Sequence, residues 1–251
     1  MTQTTLPFEF IEAGSGDPVL ILHGGGGPFT VASIAQHLSA TMHTIVPTHP
    51  GWNGTARPDS LTTIAGLANL YLDYLSAQDL TGVTVIGSSL GGWIAAEMAL
   101  QDDASRVARL VLIDSAGIEV DGAPMRDFFA LDARGVAEYS FHDPAKFFTD
   151  PATVSEEQVA RQRSNMATMR ILAGDPYMHD PTLLDRLPQI AVPTLVLWGE
   201  SDRIFTPDYG RALAAAIPDA SFELVDAAGH LPQIEAPAAT FAAIDRFLAT
   251  K

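Results

Sequence analysis

The chain has no cysteine among its 251 residues, and basic residues are few. The absence of cysteine excludes a disulfide framework, a thiolate nucleophile and a cysteine-ligated zinc site. Fourteen Lys and Arg against 30 Asp and Glu give a formal net charge of −16. Because binding to phosphate groups needs clustered cations, this balance argues against nucleic acid or an anionic membrane as the main partner. We expect a small-molecule ligand instead, bound by a monomer or a homodimer.

Long hydrophobic runs are also missing. The apolar stretches are too short to cross a bilayer, and residues Met1 to Pro7 lack the basic and apolar regions of a secretory signal. These features predict a cytoplasmic protein that does not enter a membrane. With 47% hydrophobic residues, the chain can still bury a sizeable core as one domain plus a small insertion.

The most informative stretch is Gly87-Ser88-Ser89-Leu90-Gly91, which follows an apolar run and precedes a segment of helical character. In a nucleophile elbow the serine takes a strained backbone conformation, and the residues two positions before and after it must be very small. Gly87 and Gly91 meet this demand around Ser89 only. Ser89 is therefore the candidate nucleophile, and Ser88 is expected to hydrogen-bond locally, although the pattern alone also fits an ordinary turn.

Three further motifs follow apolar runs that read as strands. Their sequences are His23-Gly24-Gly25-Gly26-Gly27-Pro28 after residues 19–22, Gly199-Glu200-Ser201-Asp202 after 194–198, and Gly229-His230-Leu231-Pro232 after 221–225. The glycine loop can point backbone N–H groups at a ligand, while an acid and a histidine follow two successive strands. The chain order Ser, Asp, His differs from that of the chymotrypsin and subtilisin folds.

Together these motifs resemble the signatures of the α/β-hydrolase superfamily. The matching segments are His23 to Pro28, Gly87 to Gly92, Trp198 to Asp202 and Gly229 to Pro237. The chain is similar both to serine esterases of this superfamily and to the C–C hydrolases of meta-cleavage products. The resemblance covers nearly the whole chain and implies a reaction class, while the substrate stays open.

The pattern of strands and helices predicts an α/β fold with a doubly wound, mostly parallel sheet of the α/β-hydrolase type. The core domain is predicted at 1–116 and 187–251, and a small helical cap insertion at 117–186. Predicted strands are 8–13, 19–22, 43–47, 83–86, 110–113, 194–198 and 221–225; predicted helices are 30–40, 62–75, 90–100, 208–217 and 236–249.

The resemblance assigns roles to the motif residues. His230 would accept the proton of Ser89, and Asp202 would fix the imidazole tautomer and stabilise its cation. Asp114 also ends a predicted strand and competes for the acid role; we favour Asp202 because it lies in the Trp-Gly-x-x-Asp match. The oxyanion hole is expected from the N–H groups of Leu90 and Gly25, with Gly26 as the adjacent alternative.

The cap segment is rich in large apolar side chains, with five of the 12 phenylalanines and four of the seven methionines between residues 118 and 188. Such a composition suits a cover over an apolar pocket, and it equally suits a small helical unit that needs its own core. Candidate pocket residues are Phe128, Phe129 and Met166, together with Trp52 on a loop that follows a strand.

No metal or cofactor is expected. The remaining histidines lack metal-ligand spacing, and the glycine loop has Phe29 where a dinucleotide motif needs its third glycine. The leading hypothesis is a carboxylesterase for a small, mostly apolar substrate. Alternatives are a C–C hydrolase of ring-cleavage products, although Ser88 and Leu231 replace the asparagine and tryptophan usual in those enzymes; a cofactor-free perhydrolase or haloperoxidase; and a hydrolase-like receptor.

Overall fold

A seven-stranded sheet forms the centre of the part of the chain that the computed structural model describes, residues 9–250. The strands are β1 (Phe10–Ala13), β2 (Pro18–Leu22), β3 (His43–Pro47), β4 (Val83–Ser88), β5 (Val107–Ile113), β6 (Thr194–Gly199) and β7 (Ala220–Val225). Their order is β1-β3-β2-β4-β5-β6-β7, and all neighbours are parallel except β1, which runs antiparallel to β3. The predicted doubly wound, mostly parallel sheet is confirmed. Phe8, the predicted start of the first strand, lies outside the described residues, as do Met1 to Pro7.

Helices cover both faces of the sheet. They are α1 (Ala32–Leu38), α2 (Ile64–Ala77), α3 (Leu90–Gln101), α8 (Pro207–Ala216), α9 (Pro232–Glu235) and α10 (Pro237–Ala249) around the sheet, with α4 (Ala133–Ser140), α5 (Pro144–Phe147), α6 (Glu156–Ala173) and α7 (Leu183–Arg186) between β5 and β6. The predicted helix 30–40 is split into a 3₁₀ turn, Pro28–Val31, and the shorter α1. Sequence reasoning missed the short α9 before the C-terminal helix.

Alternate residues of the buried strands enter two separate hydrophobic clusters. In β2, Leu20 and Leu22 pack on the side of α2, α3 and α8, whereas Val19 and Ile21 pack on the side of α1 and α10. This arrangement follows from the period of two along a strand, combined with near-continuous apolar sequence in strands that are covered on both faces. Because β2 to β7 run parallel, their carboxyl ends lie at one edge of the sheet, where the motif loops begin.

The segment predicted as a cap, 117–186, consists of helices and turns joined by isolated bridges, such as that between Gly117 and His179. Its longest helix, α6, begins with a capping box in which Ser155 and Gln158 satisfy each other's backbone N–H groups. Met169 and Leu172 of α6 belong to the same hydrophobic cluster as α2 and α3. The segment thus packs against the core through apolar contacts. Within residues 9–250, no helix is both long enough and apolar enough to cross a membrane.

An ion pair between the buried Glu97 and the partly exposed Arg186 connects the end of the cap segment to α3. Glu97 is 1% exposed, and its two carboxylate oxygens accept hydrogen bonds from Nη1 and Nη2 of Arg186 at 2.9 and 2.6 Å. Asp180 accepts a further bond from Nη2 at 2.8 Å. The planar guanidinium matches this fork-to-fork geometry, which lysine could not reproduce.

Removing the guanidinium leaves the Glu97 carboxylate buried without its charged partner. Arg186→Met should therefore lower the free energy of unfolding by about 3 to 5 kcal/mol, measured by urea denaturation. The double variant Arg186→Met/Glu97→Leu should recover most of that loss, because no buried charge remains. Equal losses in the single and double variants would show that the buried Glu97 charge left without its partner is not the cause of the loss.

Candidate active site

Ser89 lies between β4 and α3 in a turn that is as tight as the sequence predicted. Its backbone has φ +56° and ψ −118°, a conformation that L-residues with side chains rarely adopt. A Cβ atom added at Gly87 would lie 2.1 Å from the Gly91 carbonyl oxygen, and one at Gly91 would lie 2.2 Å from the Leu22 carbonyl oxygen. Only glycine fits at both positions, so this part of the backbone places the serine at the end of the strand.

The structure brings Ser89, His230 and Asp202 together from three loops. Oγ of Ser89 lies 2.9 Å from Nε2 of His230, and Nδ1 of His230 lies 2.8 Å from Oδ2 of Asp202. The other oxygen of Asp202 accepts the backbone N–H groups of Ile204 and Phe205, at 2.8 and 3.2 Å. All three side chains are buried, with Ser89 8% and His230 7% exposed. This chain of hydrogen bonds can carry a proton from the hydroxyl to the imidazole.

Asp114, the competing acid, lies beside Asp202 without taking its place. Oδ1 of Asp114 accepts the N–H of Gly199 at 3.0 Å, and the side chain is fully buried. Burial raises the pKa of the Asp114 carboxyl well above its usual range, and the charge of Asp202 adds to the increase. Of the two acids, Asp202 is the one hydrogen-bonded to His230.

Ser88 is 1% exposed, and its hydroxyl accepts a hydrogen bond from Nε2 of Gln233 at 3.2 Å. The same amide donates to the carbonyl oxygen of Thr30 at 3.0 Å. Ser88 therefore joins α9 to the region behind the elbow, in agreement with the local role expected for it.

The glycine loop after β2 lies directly against the nucleophile. A Cβ atom at Gly24 would lie 2.9 Å from Cβ of Ser89, and one at Gly25 would lie 2.6 Å from Sδ of Met169 in α6. Leu90 is the first residue of α3, and the hydrogen bonds back to the Ser89 carbonyl begin only at Gly92. Its N–H group is one of those that helix geometry leaves without an intrahelical acceptor. The glycine loop and the start of α3 thus both lie beside Ser89.

Trp52 lies on the loop after β3, as the sequence predicted, but its side chain is not exposed. It is fully buried, and its indole N–H donates to the Gly25 carbonyl oxygen at 3.0 Å. Its ring makes edge contacts with His23 and His49, with centroids 5.8 and 5.5 Å apart. Because no surface of Trp52 is accessible, the residue supports the glycine loop from behind and does not form a pocket wall.

His23 and His49 form a buried pair beneath the same loop. Nδ1 of His23 donates to the Gly24 carbonyl oxygen at 2.7 Å, while its Nε2 accepts the N–H of His49 at 3.1 Å. Nε2 of His49 donates in turn to the His23 carbonyl oxygen at 2.9 Å. Burial lowers the pKa of His49 to about 4 and lowers the pKa of His23 well below its usual value. Both rings are therefore neutral near pH 7, and together they support the glycine loop from below.

The proposed pocket residues of the cap segment are partly exposed. Phe128 and Phe129 lie in a 3₁₀ turn, where Arg170 of α6 stacks over the Phe129 ring at 4.2 Å. Met166 lies on α6 three residues before Met169, the residue that covers Gly25. Sequence reasoning missed the role of this helix face, because nothing local in the sequence relates α6 to the glycine loop.

Two polar contacts strengthen the contact between α6 and the core. Oγ1 of Thr168 donates to the Gly51 carbonyl oxygen at 3.0 Å, and Oδ1 of Asn165 accepts the N–H of Asn53 at 2.8 Å. Both side chains are buried. Together with Met169, they hold α6 over the loops that follow β2 and β3.

Glu235 connects the histidine loop to the cap segment. Its carboxylate accepts the backbone N–H groups of Gly229, His142 and Asp143. The N–H of His230 also donates to the carbonyl oxygen of Ser140 at 2.7 Å. Glu235 belongs to the Gly-His-x-Pro-x-x-Glu motif. The motif alone does not show that the partners of Glu235 lie both in the histidine loop and in the distant segment that contains His142.

Comparison with known proteins assigns the family. A sequence model of the alpha/beta hydrolase family matches residues 19–244, and the chain belongs to that family. Strand order, elbow and loop positions agree with this membership.

The relatives include more than one kind of hydrolase. The chain is 26% identical over 238 residues to Lipase 1 of Psychrobacter immobilis, covering 88% of this chain and 74% of the lipase. It is also 26% identical over 261 residues to a 2-hydroxy-6-oxononadienedioate/2-hydroxy-6-oxononatrienedioate hydrolase of Paraburkholderia phymatum, covering 92% and 87%. Among solved structures, an esterase from Exiguobacterium antarcticum is similar with a TM-score of 0.78, 20% identity and coverage of 97% and 96%. This protein is therefore a hydrolase of the α/β fold.

The buried histidines should make the fold sensitive to acid. Because the folded pKa of His49 is about 4 and the unfolded value is about 6.5, the unfolded chain binds more protons between these pH values. Stability is therefore fully present above about pH 6.5 and is lost as pH falls toward 4, with the unfolding constant rising up to about tenfold per pH unit for each such histidine.

Urea denaturation of wild type and His49→Gln from pH 7.5 to 4 measures this effect. The variant should show a shallower decline than wild type, whereas His142→Gln, at an exposed position, should keep the wild-type slope. Parallel slopes for wild type and His49→Gln would contradict the prediction.

Proposed function

We propose that this protein is a serine hydrolase that cleaves carboxylic esters of small, mostly apolar substrates in the cytoplasm. The observation that carries the proposal is the continuous hydrogen-bond chain from Oγ of Ser89 through His230 to Asp202, with distances of 2.9 and 2.8 Å. A serine hydroxyl is a weak nucleophile without such a base, so this arrangement supplies what acyl transfer requires.

The proposed reaction has two half-reactions. Nε2 of His230 takes the proton as Oγ of Ser89 attacks the ester carbonyl carbon, and the imidazolium then returns that proton to the leaving alcohol. A water molecule next gives a proton to Nε2 and attacks the acyl carbon, and the imidazolium then returns that proton to Oγ of Ser89 as the bond to the acyl group breaks and the acid leaves. Asp202 stays ionised throughout, and its hydrogen bond to Nδ1 holds the ring in the tautomer that leaves Nε2 free to accept.

Negative charge that develops on the carbonyl oxygen needs donors that are already in position. We assign this role to the N–H of Leu90 at the start of α3 and to the N–H of Gly25, with Gly26 as the alternative. Each such donor typically contributes about 3 kcal/mol to the transition state. The support for Gly25 is that Trp52 and Met169 hold its loop from two sides.

Ser89→Ala and His230→Ala should each reduce kcat by several orders of magnitude, about 10⁶-fold as in other triads, because each removes one part of a single unit. The double variant should be hardly slower than either single variant. Hydrolysis of nitrophenyl esters measures the rates, and a fluorophosphonate probe should label wild type but not Ser89→Ala. Additive losses in the double variant would contradict the triad.

The second candidate is a C–C hydrolase that acts on dienoic ring-cleavage products. The observation in its favour is the similarity to the hydrolase of Paraburkholderia phymatum, whose name gives such a substrate. The buried position of Ser88, hydrogen-bonded to Gln233, and the presence of Leu231 after the histidine count against it. We therefore place ester hydrolysis first.

The apolar cap residues generate a prediction about substrate length. If Phe128, Phe129 and Met166 line the acyl pocket, kcat/KM should rise from acetate to longer esters by up to about 1 kcal/mol per methylene, and then fall once the pocket is full. Nitrophenyl acetate, butyrate, hexanoate and octanoate test this directly. Met166→Ala should reduce the gain from chain length, and Phe148→Ala in the same segment serves as the control.

Efficiency that is flat or falls steadily from acetate onward would show that these side chains form only the core of the cap. A dienoic ring-cleavage product is then the substrate to assay. Turnover of that product with weak ester hydrolysis would support the second candidate.

A further inference from the structure

Two buried carboxyl groups share one small space at the ends of β5 and β6. Asp114 has no exposed surface and Asp202 has 2%. One carboxylate oxygen from each acid and one ring nitrogen of His230 all lie within 4.8 Å of one another. Two ionised carboxylates buried this close together would repel each other at low effective dielectric constant.

The hydrogen bonds distinguish the two acids. Asp202 accepts three N–H donors, from Ile204, Phe205 and His230, so both of its carboxylate oxygens have hydrogen-bond partners. Asp114 accepts one, from Gly199, and its Oδ2 atom has no hydrogen-bond partner among the described residues. An ionised oxygen left buried without a donor is strongly unfavourable, whereas a protonated one is a neutral hydroxyl.

We infer that Asp114 is a neutral carboxylic acid in the resting protein and acts as a positioning residue for Asp202. Its Oδ1 atom anchors the N–H of Gly199, and the Gly199 carbonyl oxygen accepts the N–H of Asp202 to close the turn. A protonated acid holds this turn without placing a second negative charge beside the first. Asp202 then remains the single charged group that faces Nδ1 of His230.

The groups that face Asp114 come from two loops, one helix and the end of one strand. Asp202 lies in the loop after β6, His230 in the loop after β7 and Glu235 in α9, while the N–H of Gly199 comes from the end of β6. Burial has the largest effect on the Asp114 pKa, followed by the charge of Asp202, and Glu235 adds a smaller increase. The N–H of Gly199 opposes these effects and does not cancel them.

The first test measures stability against pH for wild type and Asp114→Asn, which replaces a neutral acid by a neutral amide of the same shape. Because the folded pKa lies above the unfolded one, native Asp114 keeps a proton that the unfolded chain releases above about pH 4. The unfolding constant of wild type relative to Asp114→Asn should therefore rise up to about tenfold per pH unit above that value.

Asp59→Asn, at an exposed position before α2, is the control and should keep the wild-type pH dependence. A constant ratio between wild type and Asp114→Asn from pH 5 to 8 would overturn the inference. If Asp114→Asn fails to fold, infrared spectroscopy of wild type decides. The carbonyl band of a protonated carboxylic acid should be present at pH 7, and its absence would overturn the inference.

The positioning role rests on the proposed triad, and kinetics test that part. Asp202→Asn should lower kcat by about 10⁴-fold, and Asp114→Asn by far less. The acid limb of kcat/KM, which reports protonation of the free enzyme's base, should keep its midpoint in Asp114→Asn because no charge has been removed. A downward shift of that midpoint would show that Asp114 is ionised. Stability and infrared readouts need no turnover, so they remain decisive if ester hydrolysis itself is not found.

Discussion

The close approach of α3 to β2 and β4 is the constraint on which the rest of the site depends. Backbone atoms meet where Gly87, Gly91 and the Leu22 carbonyl pass one another, and any side chain at the two glycines would separate them. This contact forces Ser89 into its positive-φ conformation and turns the start of α3 toward the glycine loop. Ser89 and the start of α3 are consequently positioned by the same few backbone atoms, before any side chain outside the elbow contributes.

The loops around the elbow are held from the outside by contacts between distant parts of the chain. Met169 of α6 contacts the loop after β2, and Asn165 hydrogen-bonds to the loop after β3. Glu235 hydrogen-bonds to both the histidine loop and the cap segment. Both sides of the site are therefore attached to the segment between β5 and β6. A movement of that segment would alter the glycine loop and the histidine loop together, because both are in contact with it.

Local patterns were sufficient to predict the sheet, its mostly parallel order and the positions of the motif loops, because strands that are covered on both faces leave a continuous apolar signal. Contacts between distant segments were not predictable in this way. Trp52 follows a strand, which suggested that it forms a pocket wall. In the structure its side chain is buried against the glycine loop, and its indole N–H donates to the Gly25 carbonyl oxygen. Asp114 and Asp202 were read as competitors for one role, since sequence spacing does not reveal that both reach the same buried space.

The residues around Ser89 and the candidate pocket residues are held in place by different kinds of contact. Ser89 and the loops beside it are constrained by backbone contacts and hydrogen bonds that tolerate few side chains, so their chemistry could be read from short motifs. Phe128, Phe129 and Met166 belong to a segment held by apolar packing and a few anchors, where volume and shape can change without disturbing the elbow. Hydrolases with different substrates can therefore share this fold and these motifs, because a segment held in this way can change its side chains while the elbow stays the same.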